Sequence, residues 1–272
     1  QTISIVTTAG NLTWSGASLL DTDTVTLGGG GTGVLTIGAA QTVGSLTGTG
    51  DSVVVSGDVT TTASTTSGTP SGNISLTADT STITLNNNLT TGNATIADTV
   101  AAETATTGNI SLTAATGISG AGVLTTGTAS FTGVDAGTGA DTATSGTITL
   151  NVTGAGDVGL SGVNALTIGA ATGNVATGLT ATTGNITVTS ADRVNNGTPG
   201  SALDVSFGTA SLGSTNTAGT LTLTTDGGAG AAGEIQITSG EALTVGVLNT
   251  ADGTGQTISI VTTAGNLTWS GA

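Results

Sequence analysis

Cysteine, histidine, methionine and tyrosine are absent from this 272-residue chain. Its one basic side chain is Arg193, so lysine is absent too. Each absence closes a route. No disulfide can form, and no thiolate can act as nucleophile or metal ligand. General acid–base and nucleophilic catalysis usually recruit His, Cys, Lys or Tyr, so the chain is expected not to be an enzyme. Sixteen carboxylates against one base leave a formal charge of −15. A nucleic-acid backbone demands many cations, which excludes nucleic acid as a partner. No apolar run approaches the ~20 residues of a membrane helix, so no membrane insertion is expected in this segment. Nothing in the composition calls for a cofactor.

Glycine is plentiful, with 47 residues. Thr, Ser, Ala and Asn make up most of the remainder. Low charge and few aromatics suit a disordered chain, but the mean hydropathy of +0.33 does not. The apolar residues are Val, Ile and Leu in short alternating runs, which is strand chemistry. One pattern recurs: Gly, often Asn, then apolar–polar–apolar. It reads GNLTW at 10–14, GNISL at 72–76 and again at 108–112, GTITL at 146–150 and GNITV at 184–188. Alternation places Ile74, Leu76, Ile110, Leu112, Ile148, Leu150, Ile186 and Val188 on one face, and Thr or Ser between them on the other.

Comparable strands recur about every 17–23 residues, as from Gly72 to Gly92 and from Leu166 to Ile186. That interval fits one coil of a parallel β-solenoid, with glycine and asparagine at the corners. An array of sandwiches also has many short strands. It usually brings more aromatics and regular Asn-Gly or Asp-Gly turns. The expected class is therefore all-β, a parallel β-solenoid.

Residues 256–272, QTISIVTTAGNLTWSGA, repeat residues 1–17 without a change. The chain then reads as one tandem-repeat period, 1–255, followed by the start of the next identical period, 256–272. At the expected coil length a period holds about 12 coils and rises about 58 Å. The coil carrying Trp269 is expected in the environment that Trp14 occupies one period earlier.

Stretches 59–71, 97–107, 133–145, 189–200 and 224–233 fit strands poorly and read as loops. They hold both prolines and Asp98, Glu103, Asp135, Asp141, Asp192 and Asp226. Asp21 and Asp23 are the candidates for a calcium site or a carboxylate pair. Two solvated turn residues explain them as well, because calcium wants six to eight oxygens and no calcium-binding nonapeptide repeat is present. Arg193 beside Asp192 could clamp an anion or simply pair locally. Nine Asn-x-Ser/Thr triplets, among them Asn11, Asn73, Asn109 and Asn185, match glycan acceptors, but Gly-Asn corners before Thr-rich strands generate them automatically. Thr-x-Thr pairs at 82–85 and 220–225 could form a lattice-matching array of the ice-binding kind; their irregular spacing argues against a continuous one. GGGGTG at 28–33 lacks the lysine and helix of a phosphate loop.

Runs such as TTGNISLTAATGISGAGVLTTG (106–127) and ATTGNITVTSADRV (181–194) resemble the tandem-repeat regions of filamentous-haemagglutinin-type and autotransporter-type bacterial adhesins. The resemblance extends over nearly the whole chain. It implies a right-handed parallel β-helix, export to the bacterial cell surface or beyond, and work as an adhesive filament or stalk. The implied partners are neighbouring repeats of the same fibre, other fibres, and host or cell-surface glycans. The alternative is a solenoid that binds ice, glycan or calcium through its Thr and Asp faces. Straight columns of outward Thr would favour that alternative; scattered Thr would favour the stalk.

Overall fold

The computed structural model describes residues 1–99, 102–133, 140–173, 180–190, 192–198, 201–211, 215–225, 234–250 and 257–270. Among these there is no helix, and every strand-to-strand ladder is parallel. The chain is an all-β parallel solenoid. Alternation produces this directly. Ile74, Ile110, Ile148 and Ile186 lie one above another, as do Leu76, Leu112, Leu150 and Val188. All eight are fully buried, as the alternation predicts.

Three walls run the length of the molecule. The first carries Thr2–Val6, then 24–28, 45–50, Ile74–Ala78, Ile110–Ala114, Ile148–Val152, Ile186–Ser190, Leu221–Thr225 and 245–250. The second runs from Leu12–Trp14 through Val34–Ile37 and Gly117–Gly120 to Thr257–Thr262. The third runs from 18–20 through Val59–Thr61 and Leu124–Thr125 to Leu203–Phe207. Four central coils add two more walls. The fourth stacks Ala94–Ala97, Ala129–Thr132, Ala171–Thr172 and Ala210–Ser211. The fifth stacks Thr104–Thr106, Thr142–Thr144, Thr180–Thr182 and Thr215–Thr217.

The extra walls enclose a second, smaller core, built around Ala94, Ala105, Ala129, Ala143, Ala171 and Ala181 with Ile96 and Phe131. It forms a lobe beside the main core of Val, Ile and Leu. Between the two cores lies a neck of buried hydroxyls and glycines, and its bonding is regular. The Gly108 N–H donates to Ser71 Oγ at 2.8 Å, and Ser71 Oγ donates to the Gly92 carbonyl at 2.6 Å. Gly127 donates to Thr91 Oγ1, which donates to the Gly108 carbonyl. Gly146 donates to Thr107 Oγ1, which donates to the Gly127 carbonyl. Each hydroxyl thus takes an amide proton from the next coil at its own corner and donates across to the opposite corner. A Cβ on Gly146 would overlap the Gly108 carbonyl oxygen, so side chains other than hydrogen are excluded there.

Two expectations need correction. The first concerns coil size. Successive rungs of the first wall begin at Ile74, Ile110, Ile148 and Ile186, a far longer step than the one from Thr2 to Thr24. Gly72 and Gly92 lie in a single coil, at two different corners. Among the described residues the first wall holds nine rungs, and the second copy of the repeat begins one wall after the ninth. The stretch from the first copy to the second therefore spans eight coils and one wall, not 12, and rises about 40 Å at ~4.8 Å per coil. The second concerns the supposed loops. Residues 59–61, 104–106, 142–144 and 193–195 are strands. On the fifth wall, which the lobe packs closely, the inward positions are Ala105, Ala143 and Ala181, with Thr outward. Asp98, Glu103 and Asp141 are buried rather than solvated. Asp135 and Asp226 lie outside the described residues, as do 226–233.

Glycine and hydroxyl positions in the neck make separable predictions. Gly146→Ala should cost about 1–3 kcal/mol from overpacking against backbone. Gly240→Ala, at a site with open space, should change the melting temperature little. Thr107→Val orphans the buried Gly146 amide and should cost about 1–3 kcal/mol. Thr107→Ser should restore most of that, since Ser71 and Ser145 do the same work in neighbouring coils. Urea unfolding of the four variants checks the set, and equal stability of the Val and Ser variants would contradict the bonding described.

Candidate functional site

Parallel pairing in register converts the Thr-rich sequence into straight columns, contrary to the irregularity expected from spacing alone. On the first wall, Thr47, Ser75, Ser111, Thr149, Thr187 and Thr222 form one outward column. Thr49, Thr77, Thr113, Asn151, Thr189 and Thr224 form a second beside it. From strand geometry the columns repeat every ~4.8 Å along the axis and stand about 6.6 Å apart. The fifth wall carries another pair: Thr104, Thr142, Thr180 and Thr215 beside Thr106, Thr144, Thr182 and Thr217. There Ala105, Ala143 and Ala181 point inward and are fully buried. Thr-Ala-Thr triplets build three of its four rungs, one per coil, and Thr-Asn-Thr builds the fourth.

Corner asparagines tie coils together. Asn11, Asn73, Asn109 and Asn185 each accept, through Oδ1, the backbone N–H of the residue stacked above: Val34, Asn109, Thr147 and Thr220. Asn88 and Asn93 do the same toward Val123 and Thr128. Their place in Asn-x-Ser/Thr triplets follows from this ladder.

The predicted acidic pair, Asp21 and Asp23, falls in the strand Ser18–Gly28 where its register against the next rung shifts. Leu20 pairs with Val43 and Thr24 with Ser45, so the backbone from Asp21 to Asp23 lies opposite the single residue Gly44, at a corner. The Asp23 carboxylate accepts a bond from the Gln1 amino group at 2.7 Å. Arg193 is half-buried on the second wall, in register with Glu234. Asp157, in the coil before it, has its carboxyl held above the ordinary value of 3.8. Burial is the main cause; the Arg193 guanidinium partly offsets it, and the charges of Asp192 and Glu234 add to it. The lone base is thus surrounded by acids.

A second acidic grouping was not anticipated as buried. At the lobe tip the Glu103 N–H donates to Asp141 Oδ1 at 2.8 Å, and the Glu103 carboxylate accepts from the Thr99 N–H at 2.9 Å. Glu103 and Asp141 belong to successive coils, so only the coil register brings them together. Among the described residues, no group of three or more His, Cys, Asp or Glu side chains could hold a metal ion.

Two hollows mark where narrow and wide coils meet. The first, of about 310 Å3, is lined by Thr22, Ser45, Thr62, Ser64 and Pro70. The second, of about 460 Å3, is lined by Phe207, Ala210, Ala218, Glu241 and Ala242. Phe207 and Ala218 stand at the corner positions that carry hydroxyls in earlier coils. No helix among the described residues is long and apolar enough to cross a membrane. The chain matches no family model, no curated protein and no solved structure.

The Asp157 carboxyl supplies a pH test. Its folded value is raised, so between 3.8 and that value the folded state binds the proton more than the unfolded state does. Its contribution therefore falls as pH rises through that window. Asp157→Asn should gain melting temperature relative to the parent at pH 7 and lose that advantage at pH 3. A difference independent of pH would contradict the assignment.

Proposed function

We propose that the chain is a mechanical segment of a long, repetitive filament at the bacterial cell surface, a stalk whose adhesive contacts lie on its walls or elsewhere along the fibre. The observation that carries this reading is the continuous first wall, nine parallel rungs whose inward Val, Ile and Leu stack from Ile3 to Leu248, with Gly48 the one gap in the column and a register shift at the last rung. Such stacking makes a stiff, quasi-one-dimensional body that lengthens without changing section. The recurrence of residues 1–17 at 256–272 supplies the sequence for lengthening. The resemblance to adhesin repeats supports the surface location. A charge of −15 without lysine supports an exposed fibre that resists lateral association and cleavage after basic residues.

A second reading is favoured by the hydroxyl columns: binding of an ordered surface, such as ice or an insoluble glycan, through the first or fifth wall. Paired columns in register are what such a contact requires, and by the criterion of straight against scattered Thr they weigh for this reading.

Small-angle scattering distinguishes a rod. The chain should scatter as a body about 40 Å long, and a two-period chain as one about 80 Å long with the same cross-section. A two-period particle that thickens instead would overturn the stalk reading. For the second reading, Thr149→Lys with Thr187→Lys should abolish retention on insoluble polysaccharide or shaping of ice crystals. Absence of both activities in the parent chain would end it.

A further inference from the structure

Residues 257–270 are identical to 2–15, yet the two copies lie on different walls. In the first copy Ile3 and Ile5 stack on Val25 and Leu27, on the first wall. In the second, Ile258 and Ile260 stack on Ile235 and Ile237. The ladder under Ile258 runs back through Ile235, Val194 and Ile118 to Leu12 on the second wall, and the one under Ile260 runs through Ile237 to Leu203, where the third wall begins, so the second copy starts on the second wall. The next strand also leaves the wall of its first copy. Leu12 and Trp14 pair with Leu35 and Ile37 on the second wall. Leu267 and Trp269 pair with Leu243 and Val245, which follow the second-wall strand Glu234–Ser239 in the coil. The same side chains point inward in both copies; only the wall has changed. The expected equivalence of Trp14 and Trp269 therefore fails, and Trp269 is 57% exposed. The step is possible because the first and second walls both present Val, Ile or Leu at alternate inward positions, as at Val25 and Leu27 on one and Leu35 and Ile37 on the other.

We infer that successive periods are related by a screw of eight rungs plus one wall, about 40 Å and about a third of a turn. The inference rests on the rod reading and goes beyond it. The lobe projects between the third and first walls. In the next period it projects between the first and second walls of the previous one, and three periods restore the original direction. The Thr-lined fifth wall is thereby displayed on three sides of the fibre, which favours multivalent contact from any approach.

The native chain has no cysteine, so paired cysteines report register cleanly. Gln236 and Ser259 are register partners on the second wall, within disulfide reach at ~4.8 Å. Were the second copy on the first wall, Ser259 would follow Ser4 and sit over Val247. On mild oxidation of the whole chain, Gln236→Cys/Ser259→Cys should form an internal disulfide by mass spectrometry, and Val247→Cys/Ser259→Cys should not. The reverse result overturns the inference. So does failure of both pairs in variants that keep the parent circular dichroism. Electron cryomicroscopy of a two-period chain completes the test: lobes a third of a turn apart support the screw, and lobes in line overturn it while leaving the rod intact. A two-period particle that is not a rod overturns both.

Discussion

Everything about this molecule depends on one close approach, the carbonyl oxygen of a corner glycine lying against the α-carbon of the glycine in the next coil. Gly72, Gly108, Gly146, Gly184 and Gly219 form such a column, and Gly92, Gly127 and Gly169 form its counterpart across the neck. In that gap no side chain fits. The corner amides are also buried between two apolar cores, where an unmet N–H is expensive. The residue just before the previous coil's glycine meets the need: Ser71, Thr107, Ser145 and Thr183 in one column, Thr91 and Thr126 in the other. A hydroxyl can accept one bond and donate another in the same small space. The neck in turn lets one coil carry two cores without a loop to bridge them.

Charge is distributed to match. Val, Ile and Leu dominate the main core, and Ala dominates the lobe, with Ile96 and Phe131 as its two large side chains. Most acids stay on the outside, where mutual repulsion hinders side-by-side packing of strands or fibres. The group at the lobe tip departs from that rule. There Asp141 and Glu103 act as acceptors for backbone amides beside the short fifth wall.

Period-two alternation made the core residues from Ile74 to Val188 legible, since inward and outward positions differ sharply in polarity. Coil size was not legible. All walls share one pattern, so a strand of the third wall is indistinguishable in sequence from one of the first. Thr107 in the neck has the same identity as Thr106 on the surface, and only the register shows that one is buried and bonded twice. The hydroxyl columns were hidden for a related reason: coils of differing length still keep Thr222 over Thr187 and Thr149, because the excess goes into the bends between walls. The repeat at 256–272 was plain, but its wall was not, because Ile-x-Ile fits any of them. Of the candidate site residues, Asp21 and Asp23 were visible as a pair, whereas the contact between Glu103 and Asp141 required folding to exist.

The unequal coils also have a mechanical consequence. A short rung, such as the one from Thr2 to Thr24, encloses one core, whereas the long rungs from Ile74 to Ile110 and from Ile110 to Ile148 enclose two across a stitched neck. A beam resists flexure according to its section, and steeply so. The slender coils at 2–61, and those whose described strands are Leu221–Thr225 and Leu243–Thr250, therefore yield first under a sideways load, while the broad middle stays straight. The added width lies on one side, so flexure toward the lobe and away from it meets different resistance.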